Sequence, residues 1–150
     1  MSEIQQHVIF SMNGQVYGIE ILKIKEVVSY RKITPLPNMR GLIKGIINLR
    51  GIVLPVFDLR EKFNLPEISY TSFHIIIVME ISGRVMGVIV DEILDVVELC
   101  PKEVQAPSNL PPDIQAEYIK GIGKKGYELI VLLDIDRLLS PEELEILDAA

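Results

Sequence analysis

The apolar positions of this chain alternate with polar ones in short segments, punctuated by dipeptides that favour tight turns. Beyond Asn13-Gly14 the alternation runs through Gln15-Val16-Tyr17-Gly18-Ile19, and it recurs beyond Ser82-Gly83 as Arg84-Val85-Met86-Gly87-Val88. Both dipeptides accept the positive φ angles of two-residue hairpins, so each copy is predicted to open with a hairpin. Each copy then passes through a short segment expected to be helical, Glu20 to Lys25 and Asp91 to Leu94, into a third strand carrying a paired valine, Val27-Val28 and Val96-Val97. Proline-rich loops follow (Pro35 and Pro37; Pro101, Pro107, Pro111 and Pro112), where missing amide donors interrupt strand pairing. Finally Ile43-Lys44-Gly45-Ile46 is echoed by Ile119-Lys120-Gly121-Ile122, each leading through Arg50-Gly51 or Lys125-Gly126 into an apolar strand. The second half is a repeat of the first, and each half closes on a hairpin.

About five short strands in roughly 65 residues are too few for an open sheet buried on both faces but enough to close into a small barrel. The prediction is all-β: two small barrels sharing a core within one domain spanning 1–150. The approximate halves are 14–72 and 73–150, with a strand over 7–13 open to sharing and a crossover from Asn64 to Ser72. Ser140-Pro141-Glu142-Glu143 has the serine cap, early proline and third-position glutamate of a helix start, with Leu139 and Leu144 spaced as a staple. A short C-terminal helix is expected to cover a barrel end.

Composition supports the strand reading, since 23 Ile and 14 Val stand against 17 Leu and β-branched side chains suit a pleated sheet. With 49% apolar residues in 150, the chain can bury a sizeable core. Charges interrupt every apolar run before the roughly 18 residues a membrane-spanning helix requires, and the first residues lack the cationic and apolar regions of a secretion signal. One cysteine, Cys100, fits a reducing compartment, so a cytoplasmic protein is expected. The net charge is -6, yet no acidic residue occurs from Val27 to Phe57, where Arg31, Lys32, Arg40, Lys44 and Arg50 lie. Such a stretch either docks an acidic partner or pairs internally with Glu20, Glu26 or Asp58.

Little in the chain suggests chemistry. Gly121-Ile122-Gly123-Lys124-Lys125-Gly126 matches the dinucleotide pattern, but a β-like run, Tyr127 to Leu133, stands where the phosphate-binding helix belongs. Two histidines, His7 and His74, with one cysteine do not supply a zinc cage, and no nucleophile motif is present. Asp91-Glu92 is a carboxylate pair in which Asp91 is expected to cap the short helix. Neither a catalytic residue, a metal site nor a cofactor is expected. The absence of Trp and only 6% aromatics argue against an oligonucleotide-binding barrel.

Four stretches together carry a family resemblance: Tyr17-Gly18-Ile19-Glu20-Ile21; Ile43 to Gly51, which includes Asn48-Leu49-Arg50-Gly51; Pro55-Val56-Phe57-Asp58-Leu59-Arg60; and Gly87-Val88-Ile89-Val90-Asp91. They resemble the CheW-like coupling domain of bacterial chemotaxis, from about His7 to Asp148. The resemblance implies two interlocked five-stranded SH3-like barrels and a non-catalytic adaptor that joins the helical-hairpin tip of a chemoreceptor to the regulatory domain of a CheA-type histidine kinase, working in the cytoplasm at membrane receptor arrays. By position it implies a receptor-facing set of Ile24, Glu26, Gly45, Arg50, Ile75 and Val96, and a kinase-facing set of Val104, Gln105 and Leu110. Ile24, Ile75 and Val96 would form an apolar trough for an amphipathic helix. Gly45 either admits a partner's backbone or makes a bulge. Arg50 sits in a turn position usually held by glycine or asparagine, and its forked guanidinium suits carboxylates or helix-end carbonyls. A small-ligand-binding regulatory barrel is the alternative reading.

Overall fold

The structure is a computed structural model, and it describes residues 4–37, 43–109 and 117–149. In chain order the elements are β1 (Gln5–Met12), β2 (Gln15–Glu20), a 3-10 turn (Ile21–Lys23), β3 (Ile24–Ser29), β4 (Ile43–Leu49), β5 (Ile52–Asp58), α1 (Leu59–Lys62), β6 (Ile75–Ile81), β7 (Arg84–Val90), β8 (Glu92–Leu99), β9 (Val104–Gln105), β10 (Ile119–Lys125), β11 (Glu128–Leu133) and α2 (Pro141–Ala149). The predicted turns form where the sequence places them. Asn13 and Gly14 (φ 53° and 77°) join β1 to β2, Arg50 and Gly51 (53° and 86°) join β4 to β5, and Ser82 and Gly83 (51° and 81°) join β6 to β7.

The strands pair into a six-stranded sheet, β8-β1-β2-β11-β10-β9, and a five-stranded sheet, β3-β6-β7-β5-β4. This sorting corrects the division into 14–72 and 73–150. The hairpin β6–β7 from the second half sits in the middle of the five-stranded sheet, which forms the first barrel, and β1–β2 from the first half lies within the six-stranded sheet, which forms the second. Parallel pairing of β5 with β7 and of β11 with β2 joins each exchanged hairpin to its host.

Burial explains the exchange. On β6, Ile76 and Val78 pack with Ile47, Leu54, Val56 and Ile89 inside the first barrel, while Ile77, Met79 and Ile81 face a core shared by both sheets. On β1, Ile9 packs with Leu99, Ile130 and Leu132 inside the second barrel, while Phe10 and Met12 join the shared core. Each exchanged strand is therefore covered on both faces, which disperses no apolar face to water. Phe57 and Leu59 from the first half and Leu133 and Leu138 from the second complete the shared core.

Two expected helices come out differently. The 3-10 turn Ile21–Lys23 lies inside the expected Glu20 to Lys25 segment, but Asp91 to Leu94 is not helical, because β8 begins at Glu92. Asp91 instead donates its N–H to the Ser11 carbonyl at 3.0 Å, and its carboxylate accepts the Asn13 N–H at 2.8 Å, which fastens β8 to the β1–β2 turn. At the C-terminus the Glu143 N–H donates to Ser140 Oγ and the Ser140 N–H to Glu143 Oε1, the reciprocal cap the sequence predicts. The helix it starts, α2, lays Leu144 and Leu147 on the shared core.

Candidate functional site

The β4–β5 hairpin is shaped by a glycine and by an arginine in a glycine-like conformation. At Gly45 (φ 152°) the register of β4 shifts against β5, and a Cβ there would lie 2.2 Å from the Thr34 carbonyl oxygen. Thr34 and Ile46 exchange backbone hydrogen bonds at 2.9 Å, so Gly45 admits the segment of its own chain that follows β3, which makes a single bridge there and closes the barrel seam. Gly121 repeats this arrangement on β10, where a Cβ would meet the Gln105 carbonyl of β9 at 2.8 Å.

Arg50 holds φ 53°, a region that L-residues rarely occupy and that its counterparts in the other turns fill with Asn13 or Ser82. Its side chain is 68% exposed and donates to the carboxylate of Glu26 on β3, across the mouth of the first barrel. That hydrogen bond, with the charges of Arg50 and Arg31 behind it, lowers the Glu26 pKa, and Glu26 in turn raises that of Arg50. An ion pair this exposed adds little to stability, but it fixes the guanidinium at a surface where Ile52 and Val53 are also exposed.

The other candidates are more scattered. Ile24 pairs with Met79 and Ile75 with Ser29, at opposite ends of the β3–β6 ladder, and both are half-buried against the shared core. Val96 is exposed on β8, in the other sheet, opposite Val8. The structure thus brings Glu26 and Arg50 together, while Ile24, Ile75 and Val96 are not on one strand pair. On β9, Val104 and Gln105 pair with Gly123 and Ile122, and Val104 packs against the core of the second barrel. Leu110 lies outside the described residues, as does Arg40. Of the basic stretch, Arg31 and Lys32 are exposed, Arg50 pairs with Glu26, and Lys44 reaches Glu67 at 4.0 Å. Glu20 pairs with Lys120 instead.

Sequence reasoning missed Ile52 and Val53, whose signal was two β-branched residues directly after the turn. It also missed an ion pair that joins two of the family-like stretches. The Asp58 side chain caps α1 by accepting the Arg60 N–H at 2.9 Å, and Arg60 Nη2 donates to both oxygens of Asp91, at 2.6 and 2.7 Å. His74 Nε2 lies 3.4 Å from the same Asp91 carboxylate. The dinucleotide-like stretch is the end of β10 and its turn, running straight into β11.

Comparison with known proteins agrees with this architecture. The CheW-like domain matches residues 6–143. The chain is 36% identical to a chemotaxis protein CheW of Klebsiella aerogenes over 144 residues, covering 96% of this chain and 87% of that one. It is 34% identical to a chemotaxis protein CheW of Bacillus subtilis over 139 residues, with 92% and 88% covered. The crystal structure of the scaffolding protein TtCheW from Thermoanaerobacter tengcongensis superposes with a TM-score of 0.84 at 30% identity, covering 94% of this chain and 97% of that one. With exchanged barrels, shared core and matching sequence all in place, the chain belongs to the CheW-like domain family.

Proposed function

We propose that the chain is a non-catalytic chemotaxis adaptor that holds a chemoreceptor tip and a CheA-type histidine kinase in one assembly. The family membership supports the general role. The observation that carries the site is Arg50: a charged, exposed side chain in a left-handed turn, oriented by Glu26 and flanked by exposed Ile52 and Val53. The β4–β5 turn requires a positive φ that Asn13 and Ser82 supply at the equivalent sites, so an arginine in that position points to a role for its side chain at the surface. The receptor-facing surface is taken to include Ile24, Glu26, Arg50, Ile75 and Val96, with Gly45 acting from behind by letting Thr34 close the seam. The kinase-facing surface is taken to include Val104, Gln105 and Leu110. No helix among the described residues is long and apolar enough to cross a membrane, which suits an adaptor recruited to receptor arrays by its partners on the cytoplasmic side.

The test is co-sedimentation of the purified chain with receptor tips presented on vesicles, with and without the kinase. The chain should pellet with receptor alone and should raise the amount of kinase in the pellet severalfold. Recovery of kinase that does not depend on the chain would refute the adaptor reading.

A further inference from the structure

Part of the basic stretch of the first half is left over by the contacts described above. Arg31 and Lys32 are exposed and, unlike Lys44 and Arg50, neither forms an ion pair among the described residues. Arg31 lies close enough for its charge to lower the Glu26 pKa, but that carboxylate is already hydrogen-bonded to Arg50.

The fold sets these cations beside an exposed aromatic ring. Ser29 on β3 pairs with Ile75 on β6, and beyond them the Tyr30 N–H donates to the His74 carbonyl at 2.9 Å. The next residues outward on the two chains are Arg31 and Phe73, and Phe73 is 86% exposed. A lone exposed phenylalanine needs no explanation, but this one stands on a turn that is locked in place. The Thr71 N–H donates to His74 Nδ1 at 3.0 Å, the Phe73 N–H to Thr71 Oγ1 at 3.2 Å and the His74 N–H to the Thr71 carbonyl at 3.1 Å. The His74 ring is itself held, with Nε2 3.4 Å from Asp91 and the ring edge-on to Tyr70 at 5.1 Å between centroids. Tyr70 in turn packs on Tyr30, with centroids 5.4 Å apart. Phe73 is thus presented from a backbone with little freedom left to lose on binding.

Two uncommitted cations beside a fixed ring suit carboxylates that flank an apolar side chain, as when Arg clusters read acidic motifs. Two other anionic surfaces fit less well. The chain carries a net charge of -6, so a flat anionic membrane would meet repulsion all around the patch. A nucleic acid draws its affinity from many phosphate contacts, which a pair of cations does not supply. A short peptide touches the patch alone.

We propose that the outer end of the β3–β6 ladder docks an acidic peptide segment of a partner protein, with carboxylates on Arg31 and Lys32 and an apolar side chain on Phe73. This goes beyond the adaptor reading and does not rest on it.

The probe is the blocked peptide Glu-Glu-Phe-Glu-Glu, with Lys-Lys-Phe-Lys-Lys and Glu-Glu-Ser-Glu-Glu as controls for the charge and the ring. Each is titrated into the full chain while the Phe73 ring and the Arg31 and Lys32 amides are followed by NMR. At low salt Glu-Glu-Phe-Glu-Glu should saturate with a dissociation constant of about 1 mM or tighter, moving all of these signals, and should weaken severalfold at physiological ionic strength. The serine peptide should bind about fivefold more weakly, and the lysine peptide should not bind. Phe73→Ser should erase the difference between the phenylalanine and serine peptides, and Arg31→Glu combined with Lys32→Glu should abolish binding. Both changes are at exposed sites, so Tm should stay within about 2 °C of the parent. No saturation, saturation without movement at Phe73 and Arg31, or equal binding of the three peptides would overturn the proposal. So would retention of the parent chain on phosphatidylglycerol vesicles but not on phosphatidylcholine vesicles, lost in the charge-reversed variant, because the occupant would then be a membrane.

Discussion

Asp91→Ala tests how the two barrels are held together. The Arg60 side chain is 5% exposed and the Asp91 side chain 26%, so the substitution leaves a guanidinium in the protein interior with the Pro66 carbonyl at 3.4 Å and the charge of Asp58 nearby but no carboxylate hydrogen-bonded to it. Breaking a buried pair by removing one partner costs about 3–5 kcal/mol, and for a protein of this size each kcal/mol moves Tm by about 2–4 °C, so a fall of about 10 °C is expected. The reverse change, Arg60→Met, should cost about 1–3 kcal/mol, because the more exposed Asp91 keeps the Asn13 N–H and nearby His74. The double variant should regain at least about half of what Asp91→Ala loses, since replacing both charges with apolar groups is often close to neutral. Urea melts with unchanged m values are the assay. If Arg60→Met is as damaging as Asp91→Ala, or the double variant is no better than Asp91→Ala, the pair does not fasten the barrels in this way.

Arg50→Ala should leave Tm within about 2 °C of the parent while receptor-tip affinity falls more than about tenfold, with Arg50→Lys recovering only part because an ammonium lacks the fork; unchanged receptor binding, or equal loss toward the kinase, would remove Arg50 from the receptor surface. His7 has a folded pKa below its ordinary 6.5, so the unfolded chain binds more protons as pH falls beneath that value, and stability is lost between 6.5 and the lower folded pKa. Denaturation measured in that window should therefore show a flatter pH slope for His7→Phe than for the parent, and identical slopes would show that His7 titrates normally. Glu103 is held down to about 2 by the Cys100 N–H and thiol and by Lys125. Its carboxyl carbon should thus titrate near that value by NMR, with a midpoint near 4.5 counting against the cap. A fragment of residues 1–72 keeps β3, β4 and β5 but lacks the β6–β7 hairpin that stands between them, so it should not melt cooperatively, and a sharp transition would mean the first half folds alone.

Individual elements were legible in the sequence because their causes are local. The turn dipeptides demand positive φ, and the Ser140–Glu143 cap needs four residues; both formed as read. The exchange of hairpins was not legible in the same way, because two similar repeats present chemically similar edges and alternation does not say which edge a strand will choose. The clue was finer. Ile75 to Met79 and Val8 to Phe10 are unbroken apolar runs, as strands covered on both faces require, whereas β3 alternates half-buried with exposed positions from Ile24 to Ser29. Asp91 was misread for a related reason. Its nearest local role was a helix cap, and nothing in the surrounding residues points to Arg60, a partner 31 positions away.

The candidate contacts follow from that layout. The exchanged hairpins bury both faces, so they have few side chains to offer a partner, and it is the outer strands and their turns that remain. Ile24 and Glu26 lie on β3, Gly45 on β4, Val96 on β8, and Val104 and Gln105 on β9, which are the four terminal strands of the two sheets, whereas Ile75, half-buried at the start of β6, is the exception. The family-like residues Asp58, Arg60 and Asp91 lie instead inside the scaffold, where they cap α1 and join it to the β7–β8 crossover. The residues that identify the family most clearly and those that would touch a partner are thus largely different sets. Arg50 belongs to both, because its turn sits at the end of an outer strand while its charge is tied back to β3 through Glu26. A change there can alter a docking surface without opening the shared core, whereas a change at Arg60 or Asp91 cannot.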